Sequence, residues 1–271
     1  MGERSPSHLQ SRKSLWERIK RWHPGASRPA SRDSICPSRW HELHAVIQAT
    51  GPLRVDYVDL PGTDVTLRIT RPYTVYTDGP KFGPYWGEIW PSGVILAEVI
   101  ARDPHVLLGR RVLELGPGLG VTAVAALQAG ADLVVADARP GSLDFCALNT
   151  LDNVGIEPKT VCVNWRKPSR EFFAVAGEGF SLVLAADVLY DYEDVEPLIT
   201  LVERILAPGG ELWLAEPGRN AAQDLVKTMR KRGWHDEEDA YTSLLPDPHD
   251  RVKDVVTVHR LCPPSATQNQ G

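Results

Sequence analysis

The stretch that decides the fold reads Arg111-Val112-Leu113-Glu114-Leu115-Gly116-Pro117-Gly118-Leu119-Gly120. Its first half is a short, largely apolar run that predicts a buried strand, and a small-residue helix is predicted after it at 120–129. A strand that enters a helix through a glycine-rich turn is typical of the crevice where a doubly wound sheet binds a nucleotide-like ligand. No Gly-Lys-Ser/Thr follows, so a phosphate-binding loop for ATP or GTP is not supported.

Strands and helices alternate on the C-terminal side of this turn. Further strands are predicted at 133–136, 161–163, 181–186, 211–215 and 252–261, with helical patterns between most of them. Such an alternation predicts an α/β fold with a parallel sheet covered by helices on both faces. Residues 236–250, which carry the acidic run Asp236-Glu237-Glu238-Asp239, are predicted to be a solvated loop.

The first forty residues differ in composition from the rest. They hold nine Lys or Arg against three acidic residues, so the net charge of -5 divides into +6 for this part and -11 for the remainder. With eight Ser and no apolar stretch, residues 1–40 are expected to be a disordered basic tail, and an organelle transit segment or a misassigned start are the alternatives. One domain is expected at 41–262 and a second disordered tail at 263–271.

This domain divides into an N-terminal part, residues 52–91, and a core, residues 92–262. The alternating runs 54–60 and 65–70 flank Pro61-Gly62-Thr63-Asp64 and predict a small β-hairpin. An aromatic segment follows the hairpin and leads into a helix that starts near Pro91.

The composition excludes several classes of protein. No apolar run reaches the roughly 18–20 residues of a membrane-spanning helix, so no membrane association is expected. The four cysteines are widely spaced and the histidines show no metal-ligand spacing, so neither a disulfide framework nor a metal site is expected. A reducing cytoplasm, a monomeric state and no nucleic-acid partner are the corresponding predictions.

Asp137 ends the second strand, 21 residues after Gly116. A carboxylate at this place can accept hydrogen bonds from both hydroxyls of a ribose, in NAD-binding and in methyltransferase folds alike. The dinucleotide pattern Gly-x-Gly-x-x-Gly would need its third glycine at position 121, which is Val121. The spacing Gly-x-Gly-x-Gly suits a ligand with an adenosine and no pyrophosphate, which disfavours an NAD-dependent oxidoreductase.

Four motifs give the sequence a resemblance to the class I, seven-β-strand S-adenosylmethionine-dependent methyltransferases, and within them to the protein-lysine and nicotinamide N-methyltransferase-like group. They are Glu114 to Gly120, Asp137, the aromatic segment Pro84-Tyr85-Trp86-Gly87-Glu88-Ile89-Trp90-Pro91-Ser92-Gly93, and Ala186-Asp187-Val188-Leu189-Tyr190. The resemblance covers roughly residues 52–262. It implies a Rossmann-like doubly wound sheet of seven strands, mostly parallel with the last strand antiparallel, and S-adenosyl-L-methionine as the cofactor.

The resemblance also implies a role for individual residues. Asp187 and Tyr190 would face the methyl-accepting amine as catalytic residues, and Tyr85 and Trp86 would contact the substrate. The remaining positions would bind the cofactor: Trp90, Glu114, Gly116, Pro117, Gly118, Asp137, Trp165 and Ala186.

The chemistry of methyl transfer agrees with this assignment. An in-line displacement at a sulfonium needs approach, alignment and a dry site more than strong acid–base groups. The accepting amine must be uncharged, and an aromatic pocket disfavours an ammonium by desolvation. Asp187 alone favours the cation, so we expect it to orient the amine and receive or relay its proton while Tyr190 shapes the channel.

The expected activity is methyl transfer to an amine, with a protein lysine as the leading acceptor. A small-molecule amine is the first alternative on the same fold. A nucleic-acid methyltransferase would typically show Pro-Pro-Tyr/Phe where this chain has Val188-Leu189. A non-catalytic cofactor-binding module is the remaining alternative, and the complete glycine turn and the two aspartates argue against it.

Overall fold

The computed structural model describes residues 37–73, 85–245 and 255–264. The predicted disorder of residues 1–36 and 265–271 lies outside the described residues. So do residues 74–84, which include Pro84 at the start of the aromatic segment.

The described chain opens with helix α1 (Pro37–Gln48), which the sequence analysis did not predict. It begins inside the stretch interpreted as a tail, and Leu43 and Ile47 on one of its faces are buried. The predicted hairpin follows as β1 (Leu53–Leu60) and β2 (Val65–Pro72), antiparallel strands joined at the predicted turn.

Seven further strands form the central sheet, as expected. They are β3 (Arg111–Leu115), β4 (Asp132–Asp137), β5 (Lys159–Cys162), β6 (Phe180–Ala186), β7 (Leu206–Glu216), β8 (His235–Thr242) and β9 (Val255–Cys262). Their spatial order is β5-β4-β3-β6-β7-β9-β8. The first five strands are mutually parallel, and β9 inserts antiparallel between β7 and β8, which confirms the predicted antiparallel last strand.

Helices cover both faces of this sheet. They are α2 (Pro91–Arg102), α3 (Val121–Gln128), α4 (Pro140–Val154), α5 (Arg170–Ala176), α6 (Val195–Ile205) and α7 (Asn220–Lys231). Side chains of β6 alternate between two cores, with Leu182 and Leu184 beside α2 to α4 and Val183 beside α5 to α7. None of the helices in the described ranges has the length and apolar character needed to cross a bilayer.

The prediction of a loop from Asp236 onward is wrong for its first part, because residues 235–242 form the edge strand β8. The acidic side chains have partners there that neutralise their charge. Asp236 pairs with His259 at 3.0 Å and with Arg230 at 2.5 Å, and Asp239 pairs with Arg260 at 2.6 Å. A run of acids is therefore compatible with a strand when the neighbouring strand and helix supply cations.

This edge contains the one group of potential metal ligands found in the described part of the chain. Asp236, Glu238 and His259 offer ligand atoms within 4.8 Å of one another. Arg230 lies 2.5 Å from both carboxylates, so the group is an ion-pair network that already contains its cation. The expectation of no metal site stays a prediction.

Two asparagines of α4 fasten the hairpin to the main domain. The Asn149 side chain accepts from the backbone N–H of Thr70 at 2.8 Å and donates to the backbone oxygens of Thr70 and Leu119 at 3.0 and 2.9 Å. Asn153 makes the equivalent pair of bonds with Arg68. Since Leu119 belongs to the glycine turn, Asn149 joins the hairpin, α4 and this turn at one point.

Candidate active site

A cavity of about 480 Å³ opens at the carboxyl ends of the parallel strands. This is the edge of a doubly wound sheet where ligands are expected. Ten of the twelve predicted site residues line the cavity, and Glu114 and Pro117 do not. The lining consists of Tyr85, Trp86, Trp90, Gly116, Gly118, Asp137, Arg139, Trp165, Ala186, Asp187, Val188 and Tyr190.

The glycine turn after β3 brings bare backbone to the cavity wall. Gly116 and Gly118 have φ of +65° and +54°, in the left-handed region that favours glycine. A Cβ on Gly116 would lie 2.8 Å from a methyl carbon of Val188, and one on Gly118 would lie 3.2 Å from the Trp86 carbonyl oxygen. Gly120 instead faces Cys146 of α4, so its role is close packing of the helix.

Asp137 ends β4 with its carboxylate held by the start of α4. One oxygen accepts from the backbone N–H of Arg139 at 2.8 Å, and the other accepts from the Ser142 hydroxyl at 2.7 Å. Burial nevertheless raises the pKa of Asp137 above its usual range. The carboxylate is therefore fixed in position on the cavity wall, with lone pairs left for hydroxyl donors.

Glu114 lies behind the glycine turn and is 3% exposed. One of its carboxylate oxygens, Oε2, is buried and has no hydrogen-bond partner among the described residues. Burial, with a smaller contribution from the charge of Asp137, raises the pKa of Glu114 to about 8. A buried carboxylate of this kind is stabilised in its charged form by a cationic group placed beside it.

Asp187 follows β6 with φ of +54°, the one positive φ at a non-glycine position in the described ranges. Its side chain is only 2% exposed, and both carboxylate oxygens accept from Arg219. Arg219 Nε donates to Oδ1, and Nη2 donates to Oδ2 at 2.8 Å. Asp187 is therefore one half of a two-bond ion pair with Arg219. The predicted role of Asp187, to orient the amine and to receive or relay its proton, stays a prediction.

Aromatic side chains surround the mouth of the cavity. The ring of Tyr85 lies 5.5 Å from that of Tyr190 and 6.1 Å from that of Trp90. The indole N–H of Trp90 donates to the backbone oxygen of Tyr85 at 2.7 Å, which fixes the ring. Tyr190 is 58% exposed and forms part of the rim, while Trp86 packs inward against Phe145.

Trp165 comes from the loop after β5 and reaches the cavity from the side of β4. Its indole N–H donates to Asp194 at 2.7 Å, and Arg166 binds the same carboxylate oxygen at 2.5 Å. Because these bonds fix the ring, Trp165 can present a flat apolar surface to a ligand.

Comparison with known proteins decides the family of this chain. A family model described as lysine methyltransferase matches residues 85–232, more than half of the sequence. The chain belongs to the lysine methyltransferase family. Membership brings with it the class I methyltransferase fold and S-adenosylmethionine as the family's methyl donor, as the sequence motifs had indicated.

Two kinds of curated relative resemble this chain. An electron transfer flavoprotein beta subunit lysine methyltransferase from Danio rerio is 31% identical over 169 residues, which are 59% of this chain and 62% of the relative. A histone-arginine methyltransferase, METTL23, from Rattus norvegicus is 28% identical over 209 residues, 70% of this chain and 88% of the relative. The chain thus spans about three fifths of the length of the Danio protein.

Solved structures of other methyltransferases share the fold. The N-methyltransferase NodS from Bradyrhizobium japonicum, in complex with S-adenosyl-L-homocysteine, aligns with a TM-score of 0.52 and 17% identity over 67% of this chain and 92% of its own. A T. thermophilus 16S rRNA N2 G1207 methyltransferase also aligns with a TM-score of 0.52. Its identity is 16%, and the alignment covers 78% of this chain and 51% of its own. At such low identity these likenesses concern the fold alone.

The cavity has the features needed to hold S-adenosylmethionine. Gly116 and Gly118 present bare backbone to the cavity, and Asp137 can accept from ribose hydroxyls. The unpartnered oxygen of Glu114 suits the positive amino group of the methionine part. The residues present therefore fit this cofactor.

Sequence reasoning missed three residues of the site. Arg139 and Val188 line the cavity next to predicted positions, and Arg219 holds Asp187 from the loop after β7. Arg219 had one usable signal, because it follows a parallel strand at the same edge of the sheet. Its pairing with a residue 32 positions away cannot be read from spacing.

Proposed function

We propose that this chain transfers a methyl group from S-adenosylmethionine to the side-chain amine of a lysine in another protein. One observation supports the proposal most strongly. A single cavity joins the glycine turn and Asp137 on one side to the aromatic mouth and Asp187 on the other. The donor and a long, narrow acceptor can therefore meet inside one cavity.

When bound, the cofactor supplies an electrophilic methyl group: the amine lone pair forms the new N–C bond while the C–S bond breaks and its electron pair stays on sulfur. Asp137 would accept from the ribose hydroxyls. Gly116 and Gly118 would let the backbone approach the cofactor, and Glu114 would receive its amino group. Trp165 would border the adenine.

The aromatic mouth would prepare the acceptor. Tyr85, Trp90 and Tyr190 exclude water from the path of the amine, and desolvation favours its uncharged form. The methylene groups of a lysine side chain can lie against these rings. Asp187 would then orient the amine from the inner end of the channel.

The acceptor is tested by incubating purified full-length protein with labelled S-adenosylmethionine. Four acceptor sets are compared: recombinant electron transfer flavoprotein beta subunit, core histones, host extract, and a panel of small amines that includes nicotinamide. We expect acid-precipitable label, with mass spectrometry locating the methyl group on lysine. Label confined to small amines, to arginine or to nucleic acid would contradict the proposal.

The roles of Asp187 and Tyr190 are tested by Asp187→Asn and Tyr190→Phe. Both should lower the maximum of kcat over the pH profile by about tenfold or more, because small errors in the placement of the acceptor are costly in an in-line displacement. Tyr192→Phe is the matched control, since Tyr192 is also 58% exposed and does not line the cavity. Unchanged kcat in both site variants would refute the assignment.

A cytoplasmic location and a monomeric state complete the proposal. Imaging of the tagged full chain and light scattering of the purified protein test them.

A further inference from the structure

Asp187 is the carboxylate that the proposed function places next to the acceptor amine, and it is not a free anion. Arg219 occupies both of its oxygens in the parallel two-bond geometry of a guanidinium on a carboxylate. The pair is largely withdrawn from water, because the side chain of Asp187 is 2% exposed and that of Arg219 is 26% exposed. An incoming amine therefore meets a neutral pair.

The backbone at Arg219 is fixed by a neighbouring side chain. Glu216, at the end of β7, accepts from the backbone N–H groups of Gly218 at 2.6 Å and of Arg219 at 2.9 Å. The guanidinium also lies over the indole of Trp90, 5.7 Å from the ring centroid. The loop after β7 is thus built to present this one cation to the acceptor end of the cavity.

The charge state of the pair matters for the reaction. A lysine ammonium has no lone pair to donate, and the ordinary pKa of lysine is near 10.4. A lone carboxylate beside the amine would raise the pKa of the amine, whereas a carboxylate neutralised by a guanidinium does not raise it. The other ionisable groups that line the same cavity are Asp137 and Arg139, which are of opposite sign, and Tyr85 and Tyr190; Glu114 and Asp194 lie outside the lining.

We infer that Arg219 is a positioning and specificity-determining residue, which neutralises Asp187 so that the site takes the acceptor as an uncharged amine. Asp187 then orients the amine without holding it as an ammonium, and the proton leaves to water before the amine reaches the methyl group. This inference rests on the proposed function for its acceptor. Its physical core, the neutral pair, is testable without that acceptor.

The first test measures binding of n-butylammonium to protein saturated with S-adenosylhomocysteine, near neutral pH. We expect Arg219→Gln to bind this cation at least about tenfold more tightly than the wild type, because Asp187 is left unpaired. The double variant Asp187→Asn/Arg219→Gln should lose that gain. Equal affinity in Arg219→Gln and the wild type would overturn the inference, whether or not a protein acceptor has been found.

The second test follows kcat against pH with the acceptor protein identified by mass spectrometry. Arg219→Gln should shift the profile to higher pH by about one unit, roughly a tenfold loss at neutral pH, and Asp187→Asn should shift it to lower pH. The double variant and Arg219→Lys should lie closer to the wild type. A shift of both single variants in the same direction would overturn the inference.

Two controls separate this role from damage to the fold. Arg232→Gln removes an arginine that pairs with Glu196 and Glu203, away from the cavity lining, and should move neither readout. Each variant must also keep the wild-type affinity for S-adenosylhomocysteine. If the wild type methylates no protein while Arg219→Gln binds n-butylammonium more tightly than the wild type, the proposed function fails and the inference about the pair stands.

Discussion

At the scale of single residues, three carboxylates in and next to the cavity have the same chemistry and different surroundings. Asp137 has hydrogen-bond donors on both oxygens, Asp187 has a guanidinium, and Glu114 has an oxygen without a partner among the described residues. Glu114 is thus the carboxylate whose charge the folded, cofactor-free protein supports least. Its surroundings are suited to a ligand and unfavourable for the protein alone.

Glu114→Gln should therefore stabilise the cofactor-free protein. Burial raises the pKa of Glu114 from 4.5 to about 8, so the folded state binds the proton more tightly and the free energy of unfolding falls as pH rises through this window. The variant should gain about 4 kcal/mol near pH 8 and little below pH 4.5.

Urea unfolding at several pH values measures this gain, and calorimetry with S-adenosylhomocysteine should show at least a tenfold loss of affinity. Glu203→Gln, on the surface of α6, is the control. A gain that does not grow with pH would contradict the explanation.

The sequence predicted residues whose role follows from their place on a strand or turn. Gly116, Gly118 and Asp137 lie on the cavity wall because a glycine turn and a strand-end carboxylate have a fixed place in a parallel sheet. Arg219 was not predicted, since ion pairing depends on side-chain geometry between segments distant in the chain. The ion pair of Asp187 with Arg219 was not predicted for the same reason.

At the scale of secondary-structure elements, the hairpin is joined to the domain by asparagine side chains. Their amide groups make the pair of hydrogen bonds that a neighbouring strand would make with its backbone. Asn149 donates to and accepts from Thr70 as a paired backbone would, and it also binds the glycine turn through Leu119. Asn149 is fully buried, so each of these bonds lies where water cannot replace it.

Asn149→Ala should lower the free energy of unfolding by about 2–4 kcal/mol, because three buried backbone groups lose their partner. Cofactor affinity should fall with it, since the glycine turn loses a contact. Thermal unfolding and S-adenosylhomocysteine binding measure the two effects. Asn164→Ala, which removes one exposed bond to the Arg166 backbone, should change neither by much; a similar loss there would argue against a specific role for Asn149.

Elements with strong periodic patterns were predictable, and elements specified by tertiary contacts were not. The strands β3, β4 and β6 are recognisable in the sequence as short, largely apolar runs. Strand β8 does not, because its acids become tolerable only beside Arg230, His259 and Arg260. Helix α1 has a narrow apolar face that the basic, Ser-rich surroundings concealed.

At the scale of the whole molecule, a buried ionic network joins the antiparallel edge to the parallel body. His259 on β9 lies between Asp236 of β8 and Glu216 of β7. Burial alone would lower the pKa of His259, but the hydrogen bonds and charges of Asp236 and Glu216 outweigh it and raise the pKa to about 9. The imidazolium thus links three strands.

This network predicts a pH dependence of stability. The stabilisation by His259 is fully present below its ordinary pKa of 6.5 and is lost as pH rises toward about 9. His259→Gln should therefore cost about 2 kcal/mol at pH 6 and much less at pH 10. Urea unfolding across this range checks it, and a difference that grows with pH would contradict the assignment.

The contact between Gly116 and Val188 limits how such a protein can diversify. Gly116 belongs to the glycine turn on the cofactor side, and Val188 belongs to the segment that carries Asp187 on the acceptor side. The two residues are packed so closely that a single added carbon on Gly116 would have no room. A residue larger than valine at position 188 would displace the glycine turn, which lines the proposed cofactor site. Substitutions at this position for a new acceptor would therefore weaken cofactor binding. Inherited changes in acceptor range should therefore accumulate at the rim, at positions such as Tyr85 and Tyr190.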